Sequence, residues 1–227
     1  MDNIVKVLDG GFVRLIDHMG NDLSIVRSAR VSYDADWRGP EGLAGESKDA
    51  KLIDYLHRNK HTSPFESVVF TFEVKAPIFV FRQWHRHRTW SVNEVSARYT
   101  ELPEDFYVPD VDQITTQSPT NKQMRTDVIH PDADAIRSHI LSACESSFRH
   151  YRMLLDSGAP RELARGVLPV NTYSRMFATV DLHNLFHFLR LRLHSHAQYE
   201  IRVYAEAMLE LIKPIVPTAV AAFMTHS

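Results

Sequence analysis

The chain has 227 residues, of which 44% are hydrophobic and 24% are charged, so it can bury a sizeable core and is not disordered, collagen-like or a coiled coil overall. Its formal charge of -2 excludes a basic coat for nucleic acid, so an anion site requires a local cluster of arginines. Cys144 is the only cysteine, which excludes an intrachain disulfide and a multi-cysteine metal site and favours a reducing cytoplasm.

The first third of the chain predicts a hairpin, helices and a strand. The predicted elements are short strands at Ile4 to Leu8 and Phe12 to Ile16, a helix capped by Asp22 that ends at Arg30, a surface loop from Asp34 to Gly45, and a helix from Ser47 to Asn59. Ser63-Pro64-Phe65-Glu66 matches a capping box with proline at the first helical position, so another helix is expected there. Phe70, Phe72 and Val74 alternate with polar residues, which predicts a strand.

The remaining elements are mostly helices. They are an apolar helix from Ile78 to about Trp84, a long helix from about Asp132 to Asp156 that Gly158 ends, a short helix from Pro160 to Leu168, a strand from Val170 to Val180, and helices from Leu182 to about Leu193 and from Ala197 to Ile212. No apolar run approaches the length of a membrane span, and the N-terminus does not resemble a signal peptide. Because strands and helices do not alternate regularly, we expect a single α+β domain over residues 1–227 rather than a doubly wound sheet.

Glycine is scarce, at 8 residues of 227, and Gly39, Gly42 and Gly45 do not form a glycine-rich phosphate-binding motif. A nucleotide would therefore have to be held by side chains. Residues 81–100, FRQWHRHRTWSVNEVSARYT, place four arginines among histidines, hydroxyl groups and tryptophans. Since arginine binds phosphate through two parallel hydrogen bonds, this segment favours an anion site, with a structural salt-bridge cluster as the alternative.

A specific pattern lies inside this segment. Residues 86–98 read RHRxxSxNExSxR, from Arg86 to Arg98, and this pattern resembles the signature of the flavin-dependent thymidylate synthases. Further stretches also look like that family, namely GFVRLIDHMGNDLSIVRSARVSY, HTSPFE, KAPIFVFRQW, PRELARGVLP and SHAQYEIR. The resemblance covers most of the chain and is weakest over Asp34 to Lys51 and Glu101 to His130.

The resemblance implies an α+β fold in which an antiparallel sheet packs with long helices. It also implies a homotetramer with active sites between subunits, FAD as cofactor, NADPH as reductant and 5,10-methylenetetrahydrofolate as carbon donor. The implied reaction methylates dUMP at C5 and yields dTMP and tetrahydrofolate. Neither a membrane nor a nucleic acid is expected as a partner.

Carried over position by position, the resemblance assigns two sets of binding residues. The expected flavin contacts are Ser63, Arg86, His87, Arg88, Glu94, Asp181, His183 and His187. The expected dUMP contacts are Gln83, Trp84, His85, Arg86, Glu94, Val95, Ser96, Ala97, Arg98, Arg165 and Arg192. Ser96 and Arg98 offer a hydroxyl and a bidentate cation to the phosphate, whereas the local pattern around Arg165 also fits a solvent-exposed helix arginine.

Arg192 resembles the family residue that interacts with the uracil ring and favours its N3-ionised form, so it is the expected catalytic residue. An adjacent guanidinium stabilises negative charge on the ring, which makes C5 a better nucleophile without a covalent enzyme adduct. The local pattern alone fits a helix-end arginine paired with an acid equally well. For His61, a folate or proton-relay role and a structural hydrogen bond both stay open.

Asp181, His183 and His187 stand where many family members carry Asn, Arg and Asn. Because an ionised carboxylate cannot donate a hydrogen bond, Asp181 would accept from adenine or ribose, or cap its helix. His183 and His187 have a zinc-compatible spacing, but Asn184 breaks the H-E-x-x-H pattern and no third ligand can be named, so no metal is expected.

Cys144 shares the apolar face of the predicted long helix with Ile140 and Phe148, which predicts a buried structural thiol rather than a nucleophile. Two alternatives to the thymidylate synthase remain. One is a related flavin enzyme that modifies another pyrimidine nucleotide. The other is an RNA-binding protein that uses the Arg/His/Trp segment, which the acidic balance of the chain disfavours.

Overall fold

The structure is a computed structural model that describes residues 3–32 and 47–226; the loop expected from Asp34 to Gly45 lies outside the described residues. Its strands are β1 (Ile4–Val7), β2 (Gly11–Met19), β3 (Val69–Pro77), β4 (Ser91–Glu94), β5 (Thr115–Gln117), β6 (Arg125–Ile129) and β7 (Tyr173–Asp181). Its helices are α1 (Asp22–Val31), α2 (Lys48–Arg58), α3 (Ile78–Trp84), α4 (Ala133–Asp156), α5 (Arg161–Ala164), α6 (Leu182–Arg192), α7 (Tyr199–Ile212) and α8 (Pro217–His226).

Five strands form one antiparallel sheet in the order β1-β2-β3-β7-β4, and β5 pairs with β6 in a separate hairpin. This architecture confirms the predicted α+β class. Gly11 lets the sheet and α7 approach closely, because a Cβ there would collide with the hydroxyl oxygen of Tyr204. That hydroxyl donates to the main-chain oxygen of Lys75 at 2.8 Å, which ties α7 to β3.

The core lies between one face of the sheet and the helices. Alternation along β3 buries Phe70, Phe72 and Val74 completely. The indole of Trp84 belongs to the same core cluster and packs against Phe188, with ring centroids 4.7 Å apart. A smaller cluster joins α4 and α5; it contains Phe148, Tyr151 and Ala164. Removing this much apolar surface from water is the main source of stability for the fold.

Most predicted elements are confirmed within a few residues. The hairpin forms from β1 and β2, Ser47 caps α2 by accepting from the amide of Ala50, and Gly158 follows α4 with a φ of 82°, in the left-handed region that favours glycine. The last two predicted helices correspond to α6 and α7. None of the helices within residues 3–32 and 47–226 has the length and apolarity to cross a membrane.

Two predicted caps are wrong. Asn21, not Asp22, caps α1; Asp22 is buried and instead accepts hydrogen bonds from the amides of Thr218 and Ala219, at 2.8 and 3.0 Å, in the first turn of α8. The expected capping box at Ser63 does not form, because residues 63–67 make only a 3-10 turn before β3 begins two residues later. Helix α8, strand β4 and the β5-β6 hairpin were not predicted.

Candidate active site

The RHRxxSxNExSxR segment is divided among three local structures. Arg86, His87 and Arg88 lie in the turn after α3, and residues 91–94 form β4, which pairs antiparallel with β7. The amide of Val95 donates to the main-chain oxygen of Arg175 at 2.8 Å, which extends this pairing by one residue. A turn then carries Ser96, Ala97 and Arg98. The segment therefore projects polar groups to more than one side of the sheet edge.

A cavity of about 600 Å³ lies beside β4. Its lining residues are Ile78, Phe81, Arg82, His85, Glu94, Val95, Ser96, Ala97, Leu102, Arg165, Gly166, Leu168, Pro169, Val170 and Ser174. The structure thus brings together six of the expected dUMP contacts, which are His85, Glu94, Val95, Ser96, Ala97 and Arg165. Arg98 is held nearby through an ion pair with Glu162 of α5, with Nε and Oε2 3.5 Å apart.

Arg192 lies in a second cluster, at the C-terminal end of α6. Its Nε donates to Nε2 of His87 at 3.0 Å, and its Nη2 donates to the main-chain oxygen of Gln83 at 3.2 Å. Burial, the charge of Arg192 and nearby His187 lower the pKa of His87 to about 4, so the imidazole is neutral at pH 7 and can accept this bond. Burial also lowers the pKa of Arg192. The cluster therefore fixes Arg192 with a neutral partner instead of an acid.

A third group of residues surrounds a small cavity of about 130 Å³. The polar residues that line it are His57, Lys60, His61, Thr62, His183, His187 and Arg190. Ser63 follows directly in sequence, at the start of the 3-10 turn. Among the residues described, no group of three or more His, Cys, Asp and Glu side chains could hold a metal ion. The cavity is therefore a histidine-rich surface that also carries the cations Lys60 and Arg190.

Asp181 has a structural role at the start of α6. One of its carboxylate oxygens accepts from the amide of Asn184 at 2.9 Å, and the other accepts from Nδ2 of the same residue at 2.6 Å. These bonds cap α6. Of the two roles that the sequence left open for Asp181, the structure shows the cap.

The side chains of Trp84, an expected dUMP contact, and of Cys144, an expected structural thiol, are both buried. The indole of Trp84 is 0% exposed and packs in the core, so only its main chain could meet a nucleotide. Cys144 is buried on α4, as predicted, and its Sγ accepts from Nδ2 of Asn171 at 3.0 Å. Burial raises the pKa of the Cys144 thiol, which opposes formation of the thiolate that a nucleophile needs.

Sequence reasoning missed Gln198, Glu200, His57 and Arg190. Gln198 accepts from Nε2 of Gln83, and Glu200 is buried at 3% exposure in the first turn of α7. Gln198 and Glu200 belong to SHAQYEIR, one of the stretches that resemble the family. The available signal was an acidic residue on the apolar side of a predicted helix, because a buried carboxylate requires partners.

Known proteins resemble this chain over most of its length. A family model described as "Thymidylate synthase complementing protein" matches residues 14–218. The flavin-dependent thymidylate synthase of Treponema denticola is 52% identical over 228 aligned positions, which cover 100% of this chain and 84% of that protein. The enzyme of the same name from Thermus thermophilus is 51% identical and is covered to 78%, with 98% of this chain aligned.

A solved structure is also similar over nearly the whole chain. It is a UMP/dUMP methylase, PolB from Streptomyces cacaoi, bound with 5-Br dUMP, and it is 39% identical with a TM-score of 0.87 and 97% of each chain covered. The fold, the match of the family model over most of the chain and relatives about half identical in sequence lead to one assignment. The chain belongs to the flavin-dependent thymidylate synthase family.

Proposed function

We propose that this chain is an FAD-dependent thymidylate synthase. It methylates dUMP at C5 with 5,10-methylenetetrahydrofolate as carbon donor and NADPH as the source of reducing equivalents, and it releases dTMP and tetrahydrofolate. The observation that carries this proposal is the position of Arg192, held by neutral His87 next to Gln83, in a chain whose one thiol is buried. Such a site activates uracil by electrostatics and does not need a nucleophilic cysteine.

The phosphate of dUMP fits the cavity beside β4. Arg98 and Arg165 supply cations there, and Ser96 supplies a hydroxyl and an adjacent main-chain amide. Binding there requires Arg98 to exchange its exposed partner Glu162 for the phosphate, and an exposed ion pair is weak enough to allow this. Gln83 and Arg192 contact the uracil ring in this proposal.

The residues present suit a flavin dinucleotide. Arg86 and Arg88 are exposed, and no carboxylate in the described part of the chain pairs with either guanidinium, so both can bind a pyrophosphate. His61, His183 and His187, which line the small cationic cavity, can donate to further oxygen atoms of the cofactor. When bound, the flavin supplies the hydride that completes the new methyl group.

The side chains of the protein supply electrostatic stabilisation and positioning for the reaction. Arg192 stabilises negative charge that develops on the uracil ring, and it does so in a half-buried setting where a guanidinium acts more strongly than in water. His87 keeps the guanidinium in place and, because it is neutral, does not compete with the ring as a counterion. Glu94 and His85 both line the cavity beside β4, with Nε2 of His85 4.0 Å from the carboxylate of Glu94. Glu94 is proposed to contact both dUMP and the flavin.

We further propose a cytoplasmic homotetramer in which active sites lie between subunits and each chain forms one domain. Support comes from the separation of expected site residues into different clusters within one chain. His85, Ser96 and Arg165 line the cavity beside β4, whereas Gln83, His87 and Arg192 bond to one another and to α7. A complete site would then combine clusters from neighbouring subunits.

An absorption spectrum and a product assay test the proposed function. The purified protein should be yellow, NADPH should bleach it, and dTMP should form from dUMP and methylenetetrahydrofolate. A colourless protein that makes no dTMP even after incubation with FAD contradicts the proposal.

Methylation of UMP is a second candidate, and it is favoured by the 39% identity to a UMP/dUMP methylase. The same assay with UMP, followed by mass analysis of the product, separates the two substrates. A product heavier than the methylated nucleotide by one oxygen would instead indicate transfer of a hydroxymethyl group.

A further inference from the structure

A series of side-chain hydrogen bonds leads from a buried carboxylate to Gln83. Glu200, at 3% exposure, accepts through Oε1 from the hydroxyl of Tyr107 at 3.3 Å and pairs with Nη1 of Arg125 at 3.2 Å. Its other oxygen, Oε2, accepts from Nε2 of Gln198 at 2.8 Å. Oε1 of Gln198 in turn accepts from Nε2 of Gln83 at 2.5 Å.

The charge of Glu200 determines which way both amides point. A carboxylate next to a guanidinium can only accept hydrogen bonds, so Gln198 must present its NH2 group to Glu200. The oxygen of Gln198 is then directed at Gln83, which must present its own NH2 group. The carbonyl oxygen Oε1 of Gln83 is the end left for a ligand, and no group in the described ranges donates to it.

Gln83 adjoins the proposed catalytic group, because Arg192 donates to its main-chain carbonyl at 3.2 Å. The pyrimidine edge of dUMP has one N–H, at N3, between two carbonyl oxygens. A fixed acceptor on Gln83 together with the donors of Arg192 complements that edge. An acceptor at N3 also polarises the N–H so that negative charge shifts onto the ring, which is the charge that Arg192 stabilises.

We propose that Glu200 is a positioning residue that, through Gln198, orients the amide of Gln83 for the uracil ring. The proposal rests on the proposed function, in which Gln83 and Arg192 contact that ring. Neither Glu200 nor Gln198 touches the substrate in this account. Their effect is on the affinity for dUMP and not on the loading of flavin.

The test measures dUMP affinity of the flavin-loaded protein by equilibrium dialysis with radiolabelled dUMP, together with KM, kcat and flavin content. In Glu200→Gln, the new NH2 group can donate to Gln198, which lets both amides reverse and presents the NH2 group of Gln83 to N3–H. Two donors, the NH2 group of Gln83 and N3–H, would then face each other where a hydrogen bond had formed, so we expect Kd and KM for dUMP to rise about tenfold. The flavin content should not change. Gln198→Leu keeps the Glu200–Arg125 pair but leaves the amide of Gln83 free to rotate, so Kd and KM for dUMP should also rise, by less than about tenfold, even if Glu200→Gln does not fold.

A double variant separates orientation from packing. In Gln198→Glu combined with Glu200→Gln, the amide at position 200 donates to a carboxylate at position 198, whose other oxygen accepts from Gln83. The orientation of Gln83 is restored although Arg125 has lost its charged partner. Affinity for dUMP should therefore return to within about threefold of the wild type. A double variant as weak as Glu200→Gln overturns the proposal, provided that both are folded and flavin-loaded.

Tyr107→Phe is the matched control, because it removes another hydrogen bond to Glu200 and leaves the series to Gln83 intact. It should lower the melting temperature and leave Kd for dUMP unchanged; a tenfold rise would mean that Glu200 acts through general packing, against the proposal. If the wild type makes dTMP but Gln83→Ala binds dUMP normally, the proposal is overturned and the enzyme function stands. If the wild type neither binds dUMP nor makes dTMP, the proposed function itself fails.

Discussion

The guanidinium of Arg192 and the thiol of Cys144 have opposite surroundings in this molecule. Arg192 is half-buried and donates one hydrogen bond to His87 and one to the main chain of Gln83 in α3. Cys144 is buried on α4, and burial raises the pKa of its thiol. We expect Arg192→Ala to lower kcat about 100-fold or more, because it removes charge stabilisation in the transition state, and to retain flavin. Cys144→Ala should keep kcat within about threefold, since no step uses the thiol.

Initial rates of dTMP formation at saturating dUMP, together with the flavin absorbance per protein, measure both effects. A folded, flavin-loaded Cys144→Ala protein without activity would show that the thiol takes part in the reaction. An Arg192→Ala protein with normal kcat would remove the electrostatic account of uracil activation.

His87 makes stability depend on pH. Its pKa is about 4 in the folded protein and 6.5 in an ordinary setting, so between these values the unfolded chain binds a proton that the folded chain does not. The contribution of neutral His87 is therefore fully present above pH 6.5 and is lost as pH falls towards 4. Urea unfolding should show that the free energy of unfolding falls less from pH 7 to pH 5 in His87→Gln than in the wild type.

Glutamine is the suitable replacement because its oxygen can still accept from Arg192. His139→Gln is the control, as His139 is exposed on α4, and it should keep the pH dependence of the wild type. Equal pH dependence in all three proteins would mean that His87 is protonated to the same extent in the folded and unfolded states.

At the scale of elements, Asp22 joins α1 to α8 across the sequence. Its carboxylate accepts from two amides of the first turn of α8, where negative charge is also favoured by the helix dipole. Asp22→Asn keeps one acceptor and turns an NH2 group towards the other amide, so we expect a loss of about 1–2 kcal/mol in the free energy of unfolding. Asp156→Asn, at an exposed helix end, should change it by less than about 0.5 kcal/mol. Urea denaturation of the three proteins measures the difference, and equal stability of both variants would contradict the long-range cap.

The sequence predicted elements whose signals are local. The strand through Phe70, Phe72 and Val74 was found because its alternation buries one face, and Gly158 was found because a left-handed residue ends α4. Asp22 was misassigned because its partners are about two hundred positions away, in a helix that had not been predicted. Residues 91–94 carried no alternation of polarity, so only their pairing with β7 makes them a strand.

The same limit applies to the site. A resemblance over residues 86–98 and over further stretches of the chain led to the expected contacts, and six of them line one cavity. It could not reveal that Trp84 is in the core, because burial depends on what packs against the indole. The cap that Asp181 forms on α6 is local, and it was one of the two roles that the sequence left open. The bonds of Gln198 and Glu200 depend on four segments of the chain meeting, which no spacing in the sequence encodes.

At the scale of the whole molecule, the proposed homotetramer with active sites shared between subunits predicts complementation. Arg165→Ala damages the cavity beside β4, and Arg192→Ala damages the cluster on α6, so each homotetramer should be inactive for a different reason. In a mixed tetramer some sites receive an intact copy of each cluster. Co-expression with two affinity tags, followed by tandem purification, should recover dTMP formation. Tetramers that carry Arg192→Ala in every subunit are the control, and inactive mixed tetramers of verified composition would place both clusters in one chain's site.

Strand β4 is four residues long and pairs with β7 at the edge of the sheet, with no strand on its other side in the described ranges. Short edge elements with few buried contacts open locally at a small fraction of the free energy needed to unfold the whole protein. The residues proposed to bind the nucleotide therefore lie at an edge of the sheet that detaches more readily than its central strands. A bound nucleotide that contacts Glu94 and Ser96 would act as an additional neighbour for this strand, so that substrate binding and local folding of the sheet edge stabilise each other.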